Sequence, residues 1–165
     1  MSEAFVAVGS NSPGNATAKI RDGLRHLRTR YGELTISPAY ESADENGGEA
    51  RFVNLAVSFN TILPAGQLLR ELRNIERICG RYRSVQPETV VPLDLDLLLL
   101  GNAVVDDGPV KIPHPELARS AHMLRPLVDL APGMTHPGLG LTFQDLWDKL
   151  GGKHHRLHRF PYPLG

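Results

Sequence analysis

Two carboxylates stand two residues apart in Leu93-Asp94-Leu95-Asp96, which runs on through Leu97-Leu98-Leu99-Leu100 to a Gly101-Asn102 turn. The length and the leucines suit the innermost strand of a sheet, although an apolar run this short also fits a buried helix segment. In a strand, Asp94 and Asp96 project from one face at its entrance while Leu93, Leu95 and Leu97 take the other. Like charges this close repel unless something neutralises them. Mg²⁺ suits the task, because it takes one or two carboxylates and completes its octahedron with water and substrate phosphates. The plainer alternative is a strand that begins at the surface with two solvated acids.

The elements that must position this pair can be read in chain order. Ala4 to Val8 is strand-like, Gly9 to Gly14 is dense in turn residues, and Asn15 stands where a helix N-cap belongs. Ile20, Leu24, Leu27 and Tyr31 then mark one helical face that ends at Gly32. A second strand runs from Leu34 to about Tyr40, with Pro38 tolerable at an edge, and 41–51 reads as a mobile polar loop. In a third strand, Phe52, Asn54, Ala56 and Ser58 alternate with Val53, Leu55, Val57 and Phe59, so Phe52 and Asn54 share its mixed face. A second helix starts near Pro64, buries Leu68, Leu72, Ile75 and Cys79, and stops at Gly80. A loop from Arg81 to Pro92 leads to the Asp94 strand. The order strand, helix, strand, strand, helix, strand predicts an α+β, two-layer ferredoxin-like βαββαβ core. Ala103 to Val105 adds a hairpin arm, Pro113-His114-Pro115 a rigid turn, and 116–130 and 143–150 two short C-terminal helices.

A chain of 165 residues with a formal net charge of zero has the size of one domain and no overall basic field for nucleic acid. Residues 1–150 are assigned to that domain, and 151–165 to a basic, histidine-rich, solvated C-terminal tail. No apolar run reaches membrane-spanning length, and the N-terminus lacks a signal peptide's basic region, so a cytoplasmic address is expected. The single Cys79 falls on the buried stripe of its helix and reads as a reduced core thiol.

The motifs together carry a family resemblance. Gly9-Ser10-Asn11, Phe52-Val53-Asn54, Ile75-Glu76 with Gly80-Arg81-Tyr82-Arg83, Leu93-Asp94-Leu95-Asp96, Pro113-His114 and Met123-Leu124-Arg125-Pro126-Leu127 stand in this order. Their spacing resembles that of the 6-hydroxymethyl-7,8-dihydropterin pyrophosphokinases of folate biosynthesis, to about Leu150. The resemblance implies transfer of the β,γ-pyrophosphoryl group of ATP to a pterin hydroxymethyl oxygen, with two Mg²⁺ ions and AMP as product. It implies Asp94 and Asp96 as the metal ligands and, with Arg81 and Arg83, as the catalytic set. Glu76, Arg81, Arg83 and His114 would face the nucleotide, and Ser42, Phe52, Asn54 and His122 the pterin. The partners it implies are ATP and a pterin-like substrate, with no nucleic acid or membrane, in a monomer or homodimer.

The chain departs from the family where Val91, Pro109 and Ser120 replace phosphate-facing cations and Pro115 replaces an adenine-side aromatic. Lys111, Arg119 and Arg125 are nearby candidates to substitute, although lysine and arginine are not equivalent on phosphate. Beside the family activity stand two alternatives. One is a divergent paralogue acting on another hydroxymethyl heterocycle, and the other a pterin-binding protein with little kinase activity.

Overall fold

A computed structural model of the chain describes residues 1–42, 51–82, 89–151 and 156–165. Arg83 and the greater part of the two loops expected at 41–51 and 81–92 lie outside the described residues, as do Lys153, His154 and His155 of the tail.

The strands are β1 (Ser2–Ser10), β2 (Thr35–Ile36), β3 (Tyr40–Ser42), β4 (Phe52–Thr61), β5 (Asp94–Leu100), β6 (Val105–Asp107), β7 (Val110–Ile112) and β8 (Leu157–Arg159). The helices are α1 (Ala16–Tyr31), α2 (Ala65–Ile78), α3 (Ala121–Leu130) and α4 (Phe143–Leu150). The main sheet has the order β5-β1-β4-β3-β8, with β2 also on β4, and its pairs are antiparallel. This is the ferredoxin-like βαββαβ core. Its first layer of helices packs Ile20, Leu24 and Leu27 of α1 and Leu68, Leu72 and Ile75 of α2 onto Val53, Leu55, Val57, Leu93 and Leu95.

The C-terminal helices cover the opposite face. Met123, Leu124, Leu127 and Val128 of α3 and Leu146 of α4 join Phe5, Leu98 and Leu99 in a second core, so helices flank the sheet on both sides. The expected two layers become three.

The strand of the acid pair is not innermost. Among the described residues β5 pairs only with β1 and forms one edge of the sheet. Its leucines are nonetheless buried on both faces because a helical layer lies on each side, and this gives an edge strand the composition of a central one. A register shift sets Phe5 opposite Leu99 and Val6 opposite Leu97, leaving Leu98 as an extra residue. Leu98 and Leu99 therefore both reach the second core, and the Leu98 carbonyl accepts from the His114 N–H at 2.9 Å.

The expected second strand is broken in two at Pro38, which has no N–H to give to a ladder. Ser37 fills the gap, accepting from Ala56 N–H at 2.8 Å through its hydroxyl and donating its own N–H to Ala56 O at 2.9 Å. Ser42, expected in the first loop, is the last residue of β3. Asn15 precedes α1, but its side chain makes no capping bond. The hairpin arm forms between β6 and β7, slightly later than expected, and a single 3₁₀ turn at Leu117–Arg119 precedes α3.

Residues 156–165 are not a solvated tail. β8 pairs with β3, Phe160 N–H donates to Ala39 O at 2.9 Å, and Leu164 is buried in the first core. Among the described residues no helix is long and apolar enough to cross a membrane.

Candidate active site

An edge strand leaves every second N–H and C=O facing away from its neighbour, and each must find a partner or water. On β5 the partners are side chains of α2. Glu76, only 1 % exposed, accepts on Oε2 from the Leu95 N–H at 2.8 Å. The same oxygen accepts from Nη1 of Arg73 at 2.7 Å and Nη1 of Arg81 at 3.1 Å. Arg73 Nη1 also donates to Leu95 O at 2.8 Å, and Arg81 Nη1 to Leu93 O at 3.3 Å and Asp94 Oδ1 at 2.6 Å. Glu76 and Arg81 are thus buried, not part of a solvated helix surface. A buried carboxylate held by two guanidiniums and an amide meets the condition under which such a charge is tolerable.

This bracket fixes the acid pair. The Asp94 side chain is 30 % exposed and that of Asp96 19 %, so both are half-buried, and Asp96 lines a cleft. Burial works against the charge on Asp94, but its hydrogen bond with Asp96 and the Arg81 guanidinium outweigh it and hold Asp94 below the usual carboxylate range. Burial, then the Asp94 charge beside it, push Asp96 up to about 8. The two acids thus oppose each other's ionisation, which a further cation would relieve. Among the described residues no group of three or more His, Cys, Asp or Glu could hold a metal. Two carboxylates are nonetheless the donor set of an ion that takes its remaining ligands from water and phosphate.

Across the sheet, register sets Asp94 opposite Gly9, Gly9 opposite Asn54, and Asn54 opposite Tyr40, one row on the face that carries α3. Asn54 lies over Gly9, because a Cβ there would meet Asn54 Oδ1 at 2.4 Å. Only glycine leaves that space, so the carboxamide lies over the residue that separates it from Asp94. Phe52 projects from the same face, with Ser42 opposite it in register and the Ser42 hydroxyl donating to Phe52 O at 3.4 Å. His122, in the first turn of α3, bonds through Nδ1 to the Ser120 hydroxyl at 3.0 Å and lies within the field of Asp94. Four of the residues expected at the pterin therefore share one side of the sheet with the acids.

The other side of the acids opens on a cleft of about 140 Å³ whose lining includes Asp96, Arg73, Lys111 and His114. His114 accepts through Nδ1 from Glu116 N–H at 3.1 Å, and burial holds its imidazole below its usual pKa against the pull of Glu116 and Asp94. Arg73 extends from this cleft into a second, of about 580 Å³, along α2. Sequence reading passed over Arg73; its one signal is the i,i+3 spacing to Glu76. Asn11, named in the Gly9-Ser10-Asn11 motif without a role, pins the segment entering β5. Asn11 Nδ2 donates to Thr89 O at 2.9 Å, and its Oδ1 accepts from Val91 N–H at 2.5 Å. A separate cavity of about 520 Å³, between the start of α1 and Thr89, is lined by none of the acids.

Comparison with known proteins decides the family. The model of 7,8-dihydro-6-hydroxymethylpterin-pyrophosphokinase matches residues 5–132. The chain belongs to this family. A 2-amino-4-hydroxy-6-hydroxymethyldihydropteridine pyrophosphokinase of Pseudomonas aeruginosa is 37% identical over 140 residues, 81% of this chain and 83% of that protein. A mitochondrial folate synthesis bifunctional protein of Arabidopsis thaliana is 36% identical over 169 residues, 92% of this chain but 29% of that protein. A folic acid synthesis protein of Pneumocystis carinii is 29% identical over 150 residues, 88% of this chain and 20% of its own length. The chain thus spans a fifth to a third of these two longer relatives. The fold agrees with a solved HPPK-DHPS of Plasmodium falciparum in complex with pteroate, at a TM-score of 0.73, 15% identity and 90% coverage of this chain against 42% of that one.

Within this pyrophosphokinase frame the substitute cations can be located. Arg125 donates to Asp129 Oδ1 at 2.6 Å and to Tyr40 Oη at 3.2 Å, and stacks over the Trp147 ring at 5.3 Å. It is built into the packing of α3 and α4. Lys111 pairs with Asp106 at 2.5 Å, and Arg119 with Glu116 at 3.0 Å. Val91 is 8 % exposed and hydrogen-bonded through its backbone to Asn11, so it does not occupy an open clamp position.

Proposed function

We propose that this domain transfers the β,γ-pyrophosphoryl group of ATP to the hydroxymethyl oxygen of 6-hydroxymethyl-7,8-dihydropterin. The observation that carries this reading is the Asp94–Asp96 pair, which lies between a face bearing Asn54, Phe52 and His122 and a cleft bearing Arg73 and His114. A nucleophile bound on the first side and a triphosphate on the second would meet at the acids. In the reaction the hydroxymethyl oxygen bonds to the β-phosphorus and the bridge to the α-phosphate breaks. AMP leaves with the bridging oxygen, and the hydroxyl proton is released to water.

Little covalent work falls on the protein in such a transfer; alignment and charge neutralisation decide the rate. Asp94 and Asp96 would hold Mg²⁺, which neutralises charge on the transferring phosphates. Arg81, through its bond to Asp94, and Glu76, through Arg81 and the Leu95 amide, keep the carboxylates aimed at the cleft. Asn54 offers an amide donor and acceptor to the pterin ring edge, and Phe52 and His122 offer faces for stacking. His114, with its Nδ1 occupied by Glu116 N–H, presents Nε2 to the nucleotide side. Ser42 closes the outer end of the pterin side, and Arg83, outside the described residues, would add a cation for the phosphates.

Incubation with Mg-ATP and the dihydropterin should yield AMP. Asn54→Ala should weaken pterin affinity by on the order of 1–3 kcal/mol by leaving ring groups unpaired, read by fluorescence titration. Pterin binding without AMP formation would favour the binding-protein alternative, to which the cations lost at Val91, Pro109 and Ser120 point. AMP formed only with another hydroxymethyl heterocycle would favour the paralogue.

A further inference from the structure

We propose that Arg73 is a phosphate-holding cation of this site, taking the β,γ end of the nucleotide beside Asp96; this rests on the pyrophosphokinase reading above. The guanidinium is oriented before any ligand arrives. Its Nη1 donates to Glu76 Oε2 at 2.7 Å and to Leu95 O at 2.8 Å, so helix and edge strand grip one end of the fork. Its Nη2 lies 4.0 Å from Asp96 Oδ1, close enough to feel the charge and too far for a hydrogen bond. That separation leaves an N–H directed at the mouth of the cleft next to the carboxylate that would hold the metal. A phosphate oxygen binding that metal through Asp96 arrives within reach of this edge of the guanidinium.

Among the described residues, four other cations considered for this site are engaged elsewhere. Arg81 places Nη1 on Asp94, Glu76 and Leu93 O and is buried; Lys111, Arg119 and Arg125 pair with Asp106, Glu116 and Asp129. Arg73 lines the cleft that holds Asp96 and the second cleft along α2, and has a half-exposed side chain, which is the accessibility a ligand contact needs. A planar fork already fixed on one side loses little freedom when its other edge binds phosphate, and charge-assisted bonds of this kind are about twice as strong as neutral ones. Arg73 thereby supplies from α2 the positive charge that positions Val91, Pro109 and Ser120 do not.

The test separates a phosphate contact from a structural one by ligand length. Calorimetry with Mg²⁺ and α,β-methylene-ATP, which cannot transfer, is compared with AMP for the parent, Arg73→Gln and Arg73→Lys, with pterin affinity and melting temperature followed in parallel. Arg73→Gln should weaken the ATP analogue at least about tenfold and AMP less than about twofold, since AMP lacks the phosphates in question, and leave pterin affinity unchanged. Arg73→Lys keeps the charge without the fork and should recover part of the loss. Equal losses for the analogue and AMP, or none for either, would overturn the role of Arg73 while leaving the pyrophosphokinase reading intact. If Arg73→Gln melts too low to titrate, Arg73→Lys decides alone: analogue affinity equal to the parent's overturns the proposal. A parent that binds neither the analogue nor the pterin overturns both readings.

Discussion

At the scale of single residues, the two acids are not equivalent, and their partners say how they should differ. Asp94 is bonded to the buried Arg81, whereas the Asp96 carboxyl faces Asp94 and is held protonated toward neutral pH. Asp94→Ala removes a charge-assisted bond and should cost about 1.5–3 kcal/mol in a urea titration. Asp96→Asn keeps a neutral, hydrogen-bonding group of the same shape and should leave stability nearly unchanged. Both should abolish the rise in melting temperature that Mg²⁺ with ATP gives the parent; a rise preserved in Asp96→Asn would remove it from the metal site. Gly9→Ala is a second case, because the added methyl meets the Asn54 carboxamide. The strand should stay paired while pterin affinity falls at least about tenfold, and an unchanged fluorescence titration would mean that Asn54 does not touch the ring.

The period of two in a strand made the shared face of Asp94 and Asp96, and of Phe52 and Asn54, legible before any coordinates. The burial of Glu76 was not legible. It sits next to Ile75 in an ordinary amphipathic pattern, and an acid there reads as solvated unless the unpaired amide of Leu95 is known to lie beneath it. Arg73 escaped for the same reason: Leu95 and Asp96, which it meets besides Glu76, lie on a strand more than twenty residues away in sequence.

At the scale of elements, β5 was legible as a strand but not as an edge strand, since leucines on both faces report helical cover and say nothing about neighbours in the sheet. Pinning of the segment before β5 by Asn11 bears on the family's missing arginine. Val91→Arg places a long cation where a buried valine packs, so overpacking should cost about 1–3 kcal/mol of stability in denaturant unfolding, with no gain in AMP formation.

The loop between α3 and α4 carries its own titration. His136 is buried, its ring edge-on to Phe143, and its Nδ1 accepts from the Gly138 and Leu139 N–H groups at 3.1 Å each. Burial holds its pKa below the usual value, so protonation favours the unfolded chain. Its contribution is complete above about pH 6.5 and is lost as the pH falls through the lowered folded value. Replacing His136 with Asn retains an acceptor and removes the titration, so the melting temperature should fall less on acidification in that variant than in the parent.

At the scale of the whole molecule, the alternation and helical spacings were enough for the ferredoxin-like order, because the apolar stripes of β1, β4, β5, α1 and α2 are long. The third layer was hidden: the stripe of α3 shows that the helix must bury a face, but not which side of the sheet receives it. β8 was hidden more deeply, since three residues with two polar side chains carry no period, and its pairing with β3 depends on an edge that only the folded sheet offers.

The two margins of the sheet end differently, β3 under a short strand and β5 under the side chains of α2. A bare strand margin invites a strand from another molecule, the first step of ordered aggregation. Arg73, Glu76 and Arg81 occupy the hydrogen-bonding groups such a strand would need, so the groups that aim the acids also keep neighbouring molecules apart. The same three side chains therefore fix the acid pair and close this margin of the sheet. Replacing any one of them would uncover strand groups and loosen the acid pair together.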